Sequence, residues 1–465
     1  MENAAHNLSD TVVAISTPRG YSGIGIIRLS GPDTVRILQR IFRHRGTETN
    51  FPHRTAVYGQ IANPEDDSIV DDGIAVFMRG PFSYTGEDVV ELSLHGSPVI
   101  LDMVVRMIVR LGARLATRGE FTRRAFLSGR IDLVQAEAVI DLIESTGPMA
   151  AEEARARLDR SLSNQVQGIS DALKDLLADL EAYIDFDEDD TEPAPEIQEP
   201  LQEICGKMQT LMRDSGKRRI RREGVNTVIA GKPNVGKSTL FNALLRTDRM
   251  IVTPHPGTTR DAVDDYLLME GIAFRLWDTA GIREEAEAVE EEGIRRSRAM
   301  LDDADVVLAV LDGTTVPDEE DESVLAAARG KEMIVVLNKT DLGLALDPDD
   351  KMLGPDNVPR VALSAKTGSG MDSLEKLLAR LGAKLTESLT GESRASLNER
   401  CLVLMETACV PVQNLLDSLE RGERVEPEIM SVELRRALAS LEEITGERVD
   451  EGVLDRIFQR FCVGK

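Results

Sequence analysis

The apolar positions of this chain recur at two different periods, and the period changes along its length. Residues 12–16, 24–29, 74–77 and 89–94 are short apolar runs bounded by Gly, Pro and Asp, and they predict strands. Ser97-Pro98 opens a segment in which Val99, Leu101, Val104, Val105 and Ile108 follow helical spacing. Residues 1–125 therefore predict a small α/β domain. From 126 to 222 the period is helical, with Ile169, Leu173, Leu176, Leu180 and Ile184 stepping by three and four along one face. A Pro- and acid-rich stretch at 185–200 interrupts it. Helical spacing returns in 385–465, where Leu434, Leu438 and Leu441 are in step. Between these two stretches, strand candidates at 225–230, 272–277, 306–311, 334–337 and 361–363 alternate with helices, as in a doubly wound, mostly parallel sheet. The predicted architecture is α/β and all-α multidomain: an N-terminal α/β domain (1–125) and a helical domain in two parts (126–222 and 385–465). A doubly wound domain (223–384) is inserted in the helical one. There is no tandem repeat.

Composition narrows the setting. A chain of 465 residues exceeds one ordinary core and suggests roughly two to four domains. No apolar run approaches the roughly 18–20 residues that span a bilayer, and residues 1–10 lack a basic stretch followed by an apolar core. The expectation is a cytoplasmic protein that does not enter a membrane. Cys205, Cys401, Cys409 and Cys462 form no CxxC pair, which argues against a disulfide framework or a cysteine-rich zinc site. With 55 basic and 81 acidic residues the formal net charge is −26. That balance argues against broad, non-specific RNA binding by the chain alone, and leaves room for a local basic patch or a partner.

The chemistry is concentrated in the inserted domain. Gly231-Lys232-Pro233-Asn234-Val235-Gly236-Lys237-Ser238 matches GxxxxGK[ST] between a strand and a helix, and Thr239 follows. Glycines let backbone amides turn in on phosphates, Lys237 reaches the β/γ-phosphates, and the Ser238 hydroxyl suits Mg²⁺. Asn338-Lys339-Thr340-Asp341 selects the base: a carboxylate accepts from N1–H and the 2-amino group of guanine, a pattern adenine lacks. Ser364-Ala365-Lys366, after the next strand, supplies a backbone donor to guanine O6. Asp278-Thr279-Ala280-Gly281 puts Asp278 near the Mg²⁺ waters and the Gly281 amide near the γ-phosphate. Thr259, within Gly257-Thr258-Thr259-Arg260-Asp261, is the candidate for completing the Mg²⁺ shell. Four motifs in this order imply a Ras-like P-loop domain that binds and hydrolyses GTP. Ras-like enzymes place a Gln after the DxxG glycine to orient water. Here Gly281 is followed by Ile282-Arg283-Glu284, so another group, within the acidic run at 284–292, takes that task.

Beyond these motifs, nearly the whole chain resembles the MnmE (TrmE) tRNA-modification GTPase family. The resemblance rests on the GxGIxxxRxSG run from Gly23 to Gly31 and on Phe82-Ser83-Tyr84-Thr85-Gly86-Glu87-Asp88. It rests equally on Gly119-Glu120-Phe121-Thr122 and the terminal Phe461-Cys462-Val463-Gly464-Lys465. It implies a homodimer through an N-terminal domain that binds 5-formyl- or methylene-tetrahydrofolate, and GTP hydrolysis stimulated by K⁺. It also implies a heterotetramer with the FAD-dependent MnmG (GidA) protein, which with this family installs an aminomethyl-type (carboxymethylaminomethyl) group on C5 of the wobble uridine of certain tRNAs.

Residue by residue, the resemblance puts a K⁺ ligand at Asn234, where a monovalent cation supplies the charge an arginine finger gives elsewhere. Further K⁺ oxygens fall on Thr253, His255 and Thr258, in a loop whose two prolines depart from the usual pattern. The glutamate that orients water falls on Glu290. Folate positions fall on Arg28, Glu91, Arg130 and Lys465: the carboxylate suits the pterin 2-amino and ring N–H, and the basic groups suit its oxygen or the glutamate tail. Arg130 replaces a Lys, keeping charge and changing geometry. Taken alone, Arg28 and Arg130 read as surface charges. Cys462 has two readings, a small packed hydrophobe or a participant in the uridine chemistry. His95 reads as a turn residue. The competing class is a ribosome-assembly GTPase, which would carry a basic RNA-binding appendage; none is evident. A dynamin-like membrane remodeller would need an apolar membrane segment.

Overall fold

The structure is a computed structural model that describes residues 10–44, 51–186, 196–245, 250–251, 265–278, 300–345, 353, 358–387 and 396–465. Strands β1 (Val12–Ile15) and β2 (Ser22–Ser30) pair antiparallel, with Val12 opposite Ser30. Gly31 then turns the chain at φ 130, and a Cβ there would lie 2.5 Å from the Asp10 carbonyl oxygen, so only glycine fits. Helix α1 (Thr34–Ile41) follows, then β3 (Phe42–Arg43), β4 (Ala56–Ala62), β5 (Ile69–Met78), β6 (Val89–Gly96), α2 (Pro98–Arg110) and β7 (Arg114–Leu115). The sheet order is β3-β4-β5-β6-β2-β1-β7, antiparallel except for β1 with β7. Ile37, Ile41, Leu101, Val104 and Ile108 of the two helices pack on Val13, Ile27, Leu29, Val90 and Leu92. Because strand side chains alternate, Arg28 and Glu91 face the other side of the sheet, directly opposite one another in register.

That other side is closed at β1 by α3 (Glu120–Leu127), whose Phe121 packs with Val12 and Ala14. The helix is anchored by an ion network in which Arg124 and Glu120 are buried and Arg114, Asp10 and Glu87 are partly exposed. Arg114 and Arg124 each bond Asp10 and Glu120, and Arg124 also reaches Glu87. Burial pushes the Glu120 carboxyl up, but the two arginines and the Thr117 amide outweigh it and hold the group at about 2.

Four helices follow: α4 (Leu133–Ile143), α5 (Pro148–Leu158), α6 (Ser161–Phe186) and α7 (Gln198–Glu223). Ile169, Leu173, Leu176 and Leu180 are buried along α6, as their spacing predicts, and Ile184 is half-buried near its end.

The chain then enters a second seven-stranded sheet. Its elements are β8 (Val225–Ala230), α8 (Lys237–Leu245), β9 (Met250–Ile251), β10 (Asp265–Met269), β11 (Ile272–Asp278), β12 (Val306–Asp312), α9 (Glu319–Ala327), β13 (Glu332–Asn338), β14 (Arg360–Ala362) and α10 (Met371–Glu387). The order β14-β13-β12-β8-β11-β10-β9 is parallel from β14 to β11, and β10 and β9 continue it antiparallel. Six successive residues of β12 are buried, as expected of a strand covered on both faces. The carboxyl ends of β8, β12 and β13 therefore open on one edge, where a doubly wound sheet binds its ligands.

Helices α11 (Glu399–Glu420), α12 (Pro427–Thr445) and α13 (Glu451–Gln459) complete the chain. Two compact units result. One comprises Met1–Ile140, Ser163–Pro200 and Val410–Lys465, and the other Asp141–Leu162 with Leu201–Cys409. In the first unit Leu133, Ala136 and Ile140 of α4 pack with Leu454, Ile457, Phe458 and Phe461 near the carboxyl terminus.

Candidate functional site

In the second unit, the loop from β8 to α8 has the backbone of a phosphate cradle. Asn234 takes φ 63 and Gly236 φ 98, two left-handed residues that turn successive amides to one side. Gly236 has no alternative, since a Cβ there would stand 2.3 Å from Asn338 Nδ2. Lys237 is buried, and its Nζ donates to the Gly231 and Lys232 carbonyls at 2.9 Å each, directly over the loop. Asn234, Ser238 and Thr239 are exposed, while Val235 is buried beneath them. Asp278 ends β11 beside β8, in register with Ile229, so its backbone lies next to the start of the loop.

The base-reading loops are tied to this cradle by one side chain. Asn338, 3% exposed, donates from Nδ2 to the Val235 carbonyl at 2.9 Å and accepts at Oδ1 from the Ala365 amide at 3.0 Å. It thus spans the phosphate loop and the Ser364-Ala365-Lys366 turn. The buried Ser364 hydroxyl donates to Asp341 Oδ1 at 2.7 Å, orienting a carboxylate that is otherwise exposed. Lys339, at φ 69, reaches Asp312 Oδ2 at 2.7 Å. Burial pushes the Asp312 carboxyl up, but Lys339 and Thr314 outweigh it and leave it below its ordinary value. Sequence reading missed Asp312; its only signal was its place at the end of a strand two elements before the NKxD run. Lys366 is exposed beside these groups.

This donor set fits a guanine nucleotide: oriented amides and a buried lysine for phosphates, an exposed serine hydroxyl at the helix start for Mg²⁺, and a fixed carboxylate for the base. Thr253, His255, Thr258, Thr259, Thr279, Ala280, Gly281 and Glu290 lie outside the described residues, as does the side chain of Asp278.

In the first unit a second polar site forms where the carboxyl terminus meets the N-terminal sheet. Arg28 pairs with Glu91 at 2.7 Å and donates from Nη1 to the Gly464 carbonyl at 3.1 Å. The Ser16 hydroxyl donates to the same carbonyl at 3.0 Å. The Phe121 amide donates to the Lys465 carbonyl at 3.2 Å, and the Phe121 ring lies 5.6 Å below the Arg28 guanidinium. Three of the four folate candidates, Arg28, Glu91 and Lys465, are thereby brought together. Burial lowers the Lys465 ammonium below its ordinary value and Arg28 adds to this, with Glu91 opposing. A charged lysine disfavoured in this way gains from an incoming anion. The exposed Arg130 is on the loop after α3, where its side chain approaches Gly86. The same 80s loop reaches β2 through Thr85, whose hydroxyl bonds that of Ser30 at 2.7 Å. Phe121 and Ser16 were not singled out by sequence, although Phe121 belongs to a marker run.

Cys205, Cys401 and Cys409 are buried, as small packed residues are, whereas Cys462 is exposed, which tells against the packed one of its two readings. One expectation shifts. His95 is a strand residue of β6, not a turn residue. Its Nδ1 lies 2.6 Å from Oδ1 of the buried Asp71, whose Oδ2 also accepts from the His95 amide at 2.9 Å.

Among the described residues no helix is long and apolar enough to cross a membrane. The family model for the MnmE helical domain matches residues 133–462, and that for the N-terminus of GTP-binding protein TrmE matches residues 11–130. A protein of Geobacter metallireducens named tRNA modification GTPase MnmE is 41% identical over 98% of this chain and 100% of its own. Its namesake in Geobacter sulfurreducens is likewise 41% identical, over 98% of this chain and 100% of its own length. Among solved structures, the G domain of the T. maritima FeoB iron transporter aligns with 34% of this chain and 98% of its own, at 26% identity and a TM-score of 0.27. On the family models and the full-length relatives, this chain belongs to the MnmE tRNA modification GTPase family.

Proposed function

We propose that this chain hydrolyses GTP to GDP and phosphate and couples that cycle to modification of tRNA. The observation that carries the GTP reading is Asn338, which ties the phosphate loop to the turn beside Asp341 and so holds the phosphate and guanine contacts as one frame. Lys237 binds the β/γ-phosphates, and the Val235, Gly236 and Thr239 amides, with Thr279 and Ala280, line the same path. Ser238 and Thr259 would hold Mg²⁺, which would supply positive charge to the phosphates. Asn234, Thr253, His255 and Thr258 would hold K⁺, which would supply positive charge where negative charge develops on hydrolysis; Glu290 positions water. The left-handed backbone of Asn234 supports that assignment by presenting its exposed amide side chain at the loop's rim.

The Arg28–Glu91 pair with the Lys465 terminus suits a tetrahydrofolate one-carbon donor. Glu91 reads the pterin, and Arg28, Arg130 and Lys465 take its oxygen and glutamate tail. A homodimer formed through the N-terminal domains and a FAD-dependent MnmG partner complete the machine, which places an aminomethyl-type group on C5 of the wobble uridine. Exposed Tyr58, Ile74 and Ile24 on strands of the N-terminal sheet support a second copy there.

The proposal is tested first by cation dependence. GTP turnover should be several-fold faster in K⁺ than in Na⁺ at matched ionic strength, and Asn234→Ala should erase the difference. Turnover indifferent to the cation, or to Asn234→Ala, contradicts the K⁺ assignment.

A further inference from the structure

Lys232, the second residue of the phosphate loop, makes contacts that neither the motif nor the base-reading loops account for. Its Nζ lies 2.7 Å from Asp318 Oδ2 and 2.7 Å from Asp321 Oδ2. Those two residues begin α9 as a reciprocal cap. Asp318 accepts from the Asp321 amide, and Asp321 accepts from the Asp318 amide. Asp321 is 1% exposed, and its second carboxylate oxygen has no hydrogen-bond partner among the described residues. Lys232 is thus what compensates a buried negative charge on the helix that follows β12.

The loop has two fastenings. Its exit is held by Asn338 on the Val235 carbonyl. Its entry is held against β12, because Gly231 packs so close that a Cβ would lie 2.4 Å from the Val310 carbonyl oxygen. From there the Lys232 side chain crosses to α9. The Lys232 carbonyl also accepts from Lys237 Nζ, so the position of residue 232 is felt directly by the phosphate-binding lysine.

We propose that Lys232 is a positioning residue of the nucleotide site: it fastens the loop entry to α9 by pairing with the two carboxylates that cap that helix. This rests on the GTP-binding reading. Without the ammonium, the loop entry loses its hold on α9 and the loop amides lose part of their preorganisation. That loss acts on ground-state binding of di- and triphosphate alike, and does not touch the attacking water.

The test is titration of GTP and GDP with the full-length protein, together with steady-state hydrolysis. Lys232→Met should raise Kd for both nucleotides by about 10- to 100-fold, the range for losing hydrogen bonds to charged groups. Turnover at saturating GTP should stay within about twofold, a split expected for uniform binding. Lys232→Arg should restore affinity to within about threefold, since it keeps the charge and the reach. Should Lys232→Met not fold, Lys232→Met/Asp321→Asn removes the buried charge along with the lysine, and its Kd should still rise several-fold. Unchanged affinities overturn the inference, as does reduced turnover at saturation with unchanged Kd, or failure of arginine to rescue. If the wild-type protein itself binds no guanine nucleotide, the GTP-binding reading fails instead.

Discussion

Asp341→Asn is expected to weaken GTP binding by at least about 100-fold, the cost of two charge-assisted hydrogen bonds, and to bring in xanthosine triphosphate as the preferred ligand. On the proposed reading the carboxylate accepts from guanine N1–H and from the 2-amino group. In the variant, Oδ1 still accepts from N1–H, but the amide nitrogen faces the 2-amino group donor to donor. Xanthine carries an oxygen there, so the mismatch becomes a hydrogen bond. Ser364 favours the outcome: its hydroxyl already donates to Asp341 Oδ1, and would hold the asparagine oxygen in the same place with its nitrogen towards the base. Titration with fluorescent GTP and xanthosine triphosphate analogues checks this. Equal GTP affinity in the two proteins would remove Asp341 from base recognition.

The second large effect concerns the other unit. Deleting residues 462–465 should abolish tRNA modification and leave GTP turnover within about twofold, because the effect is confined to an interaction outside the nucleotide frame. The deletion removes the Gly464 carbonyl from Arg28 and Ser16, and the Lys465 carbonyl from the Phe121 amide. The Arg28–Glu91 pair remains, so the sheet keeps its register while the proposed folate pocket loses its wall. The proposed nucleotide contacts all fall within residues 231–366, outside the tail. Cys462→Ser sharpens the question, since it keeps volume and replaces an exposed thiol with a much weaker nucleophile. Modification measured by nucleoside mass spectrometry should fall in the variant, with folate binding and thermal stability preserved. Full modification by Cys462→Ser would return the residue to a passive role, and loss of GTP turnover on deletion would break the separation of the two sites.

The nucleotide domain was legible because its signals are local. The strand at 225–230 and its glycine-rich loop are contiguous, and β8 has the bounds the apolar run predicts. The second site was not legible from pattern, because its contacts are remote. Arg28 meets Glu91 across 63 residues and Gly464 across 436. Only the family markers brought those positions together in advance. Short elements also escaped. The eight-residue α1 buries Thr34, Ile37, Leu38 and Ile41 at helical spacing but spans barely two turns, and the seven-residue β4 carries apolar residues on both faces, with Tyr58 and Gln60 exposed, so neither gives a long enough period to be read. Asn338 shows a subtler limit. Its place in the NKxD run marks the guanine site, but its hold on the Val235 carbonyl depends on the parallel placing of β8, β12 and β13.

The most direct test of a GTP-driven tRNA modification is nucleoside mass spectrometry of bulk tRNA from cells lacking this gene, with and without the wild-type gene restored. The account predicts that the C5-substituted wobble uridines disappear in its absence and return with the intact gene, but not with the Asp341→Asn form, which finds GTP and no xanthosine triphosphate in the cell. Unchanged wobble uridines in the cells lacking the gene would contradict it.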